Sequence, residues 1–398
     1  MNKYNLKSVN NSPLKNLQSF FLGLYFFSIH FESWDPFFTG IDYLFTKITI
    51  VFYILISLID FRGFKGLKKY IKFTSPLIII FIIQTISGYL FQRPGYTEYF
   101  SLILFLNIVV FLFMLLHNDK DKYAVNKALN SFVFGGILLA IFFLIGIEVD
   151  NSWHSRVTIF GINQNMLAVN LSVVLLIILH KLIYEKKVGS FLRTLYVIFI
   201  PILILFLAST GSRSGFISFF SGLFILFLFK KTKNILNKLV SLFFGSIFLM
   251  LLANYFLNNE VVGSRLSNSI ETGDLSGRDG YWKEIPQLID INPLFGIGKT
   301  GYAYQTELIY GTYASAHNVF IEVLVMGGLI SLSFLFIYLF RLIKKAIINF
   351  KKTDNSLHLA LLMPIIVMSL VGHPLGTKIS WGIFAFIIVS TKILVKNR

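Results

Sequence analysis

The 398-residue chain contains no cysteine, so it can form neither a disulfide nor a thiolate metal site. That absence suits either redox compartment. Charge is also scarce: 14% of residues are Asp, Glu, Lys or Arg, well under the share in a soluble chain, while 55% are hydrophobic and mean hydropathy is +0.72. The chain therefore reads as a polytopic membrane protein. Strict apolar–polar alternation is missing. The apolar runs are continuous, which argues against a β-barrel and for an all-α bundle of transmembrane helices. No small-residue cleavage site follows the basic N-terminus (Lys3, Lys7, Lys15), so the first apolar run is read as a retained span. No repeat or low-complexity linker divides residues 1–398, which are treated as one transmembrane domain.

Apolar windows of helical length fall at 16–31, 43–59, 73–91, 98–117, 128–147, 165–184, 191–209, 213–229, 235–257, 318–340, 356–372 and 377–395, which predicts about twelve spans. The N-terminus, alternate loops and the C-terminus hold 27 of the 36 bases. By the positive-inside rule both termini are expected in the cytoplasm. The net charge of +17 is thus a topology signal, with some attraction for anionic lipid, rather than the footprint of a nucleic-acid binder. Base type also changes across the membrane. Four of the 27 inner bases are Arg, against five of the eight outer ones (Arg93, Arg156, Arg213, Arg265, Arg278, with Lys283, Lys299 and Lys378). Lysine suffices for topology; a guanidinium fork grips phosphate or carboxylate with two parallel bonds. The one large outer loop, 258–316, carries or adjoins several of these arginines.

Five segments carry candidate chemistry. Ala208-Ser209-Thr210-Gly211-Ser212-Arg213-Ser214-Gly215-Phe216 joins two spans by a tight turn. Gly211 lets the chain reverse, Ser212 or Ser214 can cap the next helix, and Arg213 sits in its first turn, so hydroxyls, cation and helix N-terminus together suit an anion. The bland reading is a turn whose arginine reaches to headgroups. Arg156 to Asn165 enters the sixth window; Asn163 or Asn165 plausibly caps it, and amide contact with a sugar is as open as plain capping. Ser276 to Ile289 reads as a short interfacial helix, kinked or ended near Pro286, with Arg278 just ahead of it. Arg278 could reach a phosphate or pair with Asp274 or Asp279. Pro293-Leu294-Phe295-Gly296-Ile297-Gly298-Lys299-Thr300-Gly301 is read as a glycine turn and no phosphate loop. Finally, Ala316-His317-Asn318 opens the tenth window, with Glu322 a turn on. His317 has the intrinsic pKa of about 6.5 that suits a general base, and Asn318 or Glu322 could orient it. Lys47 and Glu322 are read as the candidate ionisable residues within the spans. His373 is the weaker imidazole candidate; His30 and His154 are weaker still.

Taken in order over residues 156–340, these pieces resemble the O-antigen ligase and polymerase superfamily: Phe160-Gly161-Ile162-Asn163-Gln164-Asn165, Thr210-Gly211-Ser212-Arg213-Ser214-Gly215, Arg278 with Trp282, Pro293-Leu294-Phe295-Gly296-Ile297-Gly298, and Ala316-His317-Asn318 followed by Glu322 and Gly327-Gly328. The resemblance implies a glycosyltransferase without metal or cofactor, integral to the cytoplasmic membrane of a bacterium. Its site would face the periplasm or cell exterior. Its donor would be an undecaprenyl-pyrophosphate-linked glycan, and its acceptor a glycan or another lipid-linked glycan. By that analogy Arg213 and Arg278 bind the pyrophosphate and His317 assists the acceptor hydroxyl, while Ser212, Ser214, Arg265, Arg156, Asn163, Asn318 and Glu322 contribute to substrate binding. A pyrophosphate is a good leaving group, so the chemistry needs charge stabilisation rather than a general acid. A base on the opposite face of the sugar would invert the anomeric carbon. Two rivals follow from the residues. A metal-dependent polyprenyl-phosphate transferase would want an acidic pair such as Glu148-Val149-Asp150, which sits late in the chain. A twelve-span transporter or flippase of lipid-linked glycan would bury more ionisable residues at mid-membrane.

Overall fold

The computed structural model describes residues 13–37, 40, 44–59, 66–93, 95–96, 101–151, 156–185, 188–229, 235–272 and 278–389. Each apolar window holds helix, because in lipid a backbone N–H must find its carbonyl within its own segment. The helices are α1 (Pro13–Ser28), α2 (Leu44–Ile59), α3 (Leu67–Leu90), α4 (Leu102–Lys120), α5 (Ala124–Ile145), α6 (Gln164–Tyr184), α7 (Ser190–Ser209), α8 (Arg213–Leu228), α9 (Ile235–Leu257), α10 (Glu260–Thr272), α11 (Arg278–Lys283), α12 (Ile285–Ile291), α13 (Gly298–Tyr310), α14 (Val319–Thr353), α15 (Leu357–Ala360), α16 (Leu362–Val371) and α17 (Lys378–Val389). Among the described residues the chain is all-α apart from a two-residue antiparallel ladder, β1 (Val149–Asp150) on β2 (Thr158–Ile159), and an isolated bridge between Arg93 and Tyr96, neither of which sequence patterning suggested. Six helices are long and apolar enough to cross a membrane: α3, α4, α5, α6, α7 and α14. The remaining apolar helices are shorter, so twelve full-length crossings were expected and six are seen among the described residues.

The centre of the bundle is α6, buried over most of its length and flanked by α5, α7 and α8. It meets α8 through small residues. A β-carbon on Gly215 would fall 2.3 Å from Ala168 Cβ, and one on Gly222 2.5 Å from Leu176 Cδ1. Ser172 Oγ donates to Gly215 O at 2.9 Å, which closes the contact at the end of α8 where Arg213 begins. Around this centre α1 packs on α5 and α2, α3 lies along α14, and α16 lies along α8. Lys378, counted from sequence among the outer bases, is partly buried and pairs with the buried Glu32 at 2.5 Å.

The large loop is more helical than the sequence suggests. In place of one short interfacial helix it holds α10 to α13. The interruption comes at Glu284, ahead of Pro286, which sits in the first turn of α12 where its missing N–H costs nothing. Ile285, Leu288, Ile297, Tyr302, Ala316 and Val325 form a small core of their own under this loop, with Trp282 and Ile289 packed on it.

Segment 293–298 is not a free glycine turn. α14 breaks at Gly328, whose φ of +67° and ψ of −174° lie outside any helix, and the segment docks into the break. Ile297 N donates to Val325 O (2.9 Å), Leu329 N to Pro293 O (2.9 Å) and Ile330 N to Leu294 O (3.3 Å). Ser87 Oγ of α3 donates to Phe295 O at 2.7 Å. A β-carbon on Gly328 would lie 2.1 Å from Leu294 O, and one on Gly298 2.0 Å from Gly88 N. Three chain segments thus touch backbone to backbone, which only glycines permit.

Candidate active site

The turn between α7 and α8 is built from its backbone outward. Gly211 reverses the chain at φ +59°. Ser212 is extended, and its Oγ accepts from Gly215 N at 3.2 Å, capping α8. Arg213 is the first helical residue. Arg156, arriving from β2's side of the ladder, donates Nε to Thr210 O (2.9 Å) and Nη2 to Asn165 Oδ1 (3.2 Å). The same Asn165 oxygen accepts from Ser212 Oγ at 2.9 Å, and the Ser212 and Ser214 hydroxyls lie 3.1 Å apart. Arg265 of α10 donates Nη1 to Gly211 O at 2.7 Å. Asn163 caps α6 beside them, accepting from Asn165 N (3.0 Å) and Met166 N (3.4 Å).

Six of the residues singled out from sequence therefore meet at one turn: Arg156, Asn163, Ser212, Arg213, Ser214 and Arg265. Asn165, read there as an alternative cap, is the hinge of the network. Arg156 and Arg265 brace the turn through its carbonyls, each with a guanidinium that carries five N–H donors. Burial lowers the Arg156 pKa to about 10, and the charges of Arg265 and Arg213 push it the same way. Arg156 still carries its charge at neutral pH. Mutually repelling guanidiniums, hydroxyls and a helix N-terminus make a receptor for a polyanion.

The mouth of α14 is the second group. Both polar groups of the Ala316 peptide are held by aromatic residues: its N–H donates to Tyr302 OH at 2.9 Å, and its carbonyl accepts from Trp282 Nε1 at 3.0 Å. His317 follows in the left-handed region at φ +49°, with its N–H on Ser315 Oγ at 3.1 Å. Trp282 belongs to α11, so the helix that Arg278 opens lies against the residue before His317; the Arg278 side chain is outside the described residues, as are Asp274 and the side chain of Asp279. Asn318 is the cap of α14, accepting from Phe320 N (3.0 Å) and Ile321 N (3.2 Å), and it donates Nδ2 to Leu370 O at 3.3 Å. Because α16 also packs on α8, this bond ties the mouth of α14 to the helix that Arg213 begins.

Glu322 takes direct bonds from residues other than His317, whose charge also acts on it. Its Oε2 meets His373 Nδ1 at 2.5 Å and its Oε1 accepts from Ser315 Oγ. The partners are 51 residues apart in sequence, so periodicity could not show them. The available signal was the buried carboxylate itself, which demands a partner at its own depth. Beside this pair is a cavity of about 510 Å³, lined in part by Gln84, Lys299, Tyr313, Ser315, Glu322 and His373. No described arginine lines it.

Residues 197–336 match the family model described as O-antigen ligase. The match covers α8, the whole outer loop and both sides of the α14 break. No curated protein and no solved structure matches the chain.

Proposed function

We propose that this chain, similar over residues 197–336 to the O-antigen ligases, is a glycosyltransferase of membrane glycan assembly. It moves a glycan from polyprenyl pyrophosphate to an acceptor hydroxyl at the outer face of the cytoplasmic membrane. One observation carries the reading: Arg156, Arg213 and Arg265 converge on the capped turn 210–214, and the charged neighbours that act on Arg156 are the other two cations. Guanidinium groups that act on one another at this range suit an anionic ligand among them. A departing diphosphate is that anion, and each charge-assisted hydrogen bond to it contributes about 1.5–3 kcal/mol. In this scheme Arg213 and Arg278 hold the pyrophosphate, Arg156 and Arg265 support the turn beneath it, and His317 assists the acceptor hydroxyl. Stabilising the leaving group electrostatically requires no metal, and attack from the opposite face inverts the anomeric carbon.

The test is a strain lacking the chain, complemented with wild type or with Arg213→Lys, its surface glycan run on a gel. Loss of the chain is expected to leave single-repeat glycan or an unmodified acceptor with accumulated lipid-linked polymer. The first outcome identifies a polymerase and the second a ligase. Arg213→Lys keeps the charge and loses the fork, so complementation should fall by about tenfold or more, the effect of one such bond. Full complementation would remove Arg213 from the site.

A further inference from the structure

The arginine turn accounts for the leaving group but leaves the cavity at the mouth of α14 unused. That cavity has a different chemistry. Glu322 is 4% exposed, and both its oxygens are engaged, one by Ser315 and one by His373 Nδ1. His373 is half-exposed, and its ring rests on the 3₁₀ turn Pro374–Gly376; a β-carbon on Gly376 would come within 2.7 Å of His373 Cδ2. With Nδ1 on the carboxylate, Nε2 is the ring nitrogen left over, and no described residue bonds it. A carboxylate on one imidazole nitrogen with the other left open is the arrangement that fixes a base in its proton-accepting tautomer.

The lining joins amide, phenol and imidazole groups to an aliphatic wall, so a sugar can hydrogen-bond to His373, Gln84 and Tyr313 and lay its apolar faces on Leu104, Val323 and Leu375. The other charged side chain among the described lining residues is Lys299 of α13, and His317 at the mouth of α14 acts electrostatically on Glu322; α3 and the cap of α4 contribute Gln84 and Ser101. The volume of about 510 Å³ is within the range of small-molecule sites.

We propose that the cavity holds the acceptor's terminal sugar and that His373, fixed by Glu322, is the base for its attacking hydroxyl. This rests on the transferase reading above. The hydroxyl O–H bond breaks and its proton goes to His373 Nε2. The oxygen's electron pair forms the new bond to the donor's anomeric carbon. The bond from that carbon to the pyrophosphate oxygen breaks, and its pair leaves with the polyprenyl pyrophosphate. The imidazolium so formed is neutralised by Glu322, and His317 holds the incoming hydroxyl at the mouth.

The experiment uses the full-length protein in membranes of the deletion strain, supplied with that strain's own lipid-linked glycan. His373→Ala is expected to reach wild-type amounts and to transfer glycan roughly 100-fold more slowly or worse, the usual contribution of a general base. Added imidazole should restore at least part of that rate. His373→Gln keeps an N–H for Glu322, so it guards against misfolding; it should be equally slow and insensitive to imidazole. Activity of either variant within about threefold of wild type overturns the assignment, because a base contributes far more than that. So does a His373→Ala loss that imidazole leaves untouched. Arg213→Lys run alongside separates the two readings. If it is slow while His373→Gln is fast, only the base assignment falls; if wild type itself transfers nothing, both fall.

Discussion

Gly211 is the residue on which the arginine cluster turns. A β-carbon there would meet Val261 Cγ1 at 2.7 Å and Arg156 Cγ at 3.0 Å, with the backbone held at φ +59°. Left-handed geometry alone costs a non-glycine residue about 1–2 kcal/mol, and the contacts add to it. Its carbonyl is also the acceptor for Arg265, so a shifted turn releases that guanidinium. Gly211→Ala is therefore expected to destabilise the protein by about 1–3 kcal/mol and to depress transfer further than the lost stability explains. Comparing glycan transferred per unit of membrane-embedded protein checks this. Ser212, Arg213 and Ser214 were legible in the sequence because capping residues, a turn glycine and a charge at a span's edge are all local signals. Asn165 as the common acceptor of Arg156 and Ser212 was not, since nothing local distinguishes it from Asn163 two residues earlier.

At the scale of elements, the break in α14 positions the second half of the site. An apolar run containing Gly327-Gly328 reads as continuous helix, for a helix tolerates glycine at about 1 kcal/mol each. Its interruption depends on a segment some 30 residues upstream, which supplies carbonyls from Pro293 and Leu294 to N–H groups of Leu329 and Ile330. Sequence reading recovered the apolar helices and missed this joint because its partners are distant in the chain; it missed the Glu322–His373 pair for the same reason. The contacts make a sharp comparison. Gly328→Ala would put a β-carbon 2.1 Å from Leu294 O at a left-handed φ, whereas Gly280→Ala in α11 meets nothing within 4 Å. The first should abolish stable accumulation or transfer, and the second should leave both within about twofold, as expected for a helical Gly→Ala change worth under 1 kcal/mol. Equal behaviour of the two would show that the joint does not hold the loop.

For the whole molecule, the expected separation is between a lysine-rich end and an arginine-bearing end. By alternation of the helices, loops 120–124 and 353–357 are expected at the first end and 156–163, 210–213 and 372–377 at the second. The lack of cysteine makes the orientation directly testable. Thr312 and Lys352 are both exposed. In intact cells a membrane-impermeant maleimide should label Thr312→Cys and spare Lys352→Cys until the membrane is opened; the reverse pattern would place the arginine turn in the cytosol, away from any outer-face acceptor. The docked segment 293–298 bears on how substrates arrive. Gly328 lies nine residues into α14, about 13 Å along its axis at 1.5 Å per residue. A loop stapled to that depth by backbone bonds cannot swing open like a lid. If the donor is carried on a lipid, as proposed, it needs no such opening, since it would approach from within the bilayer.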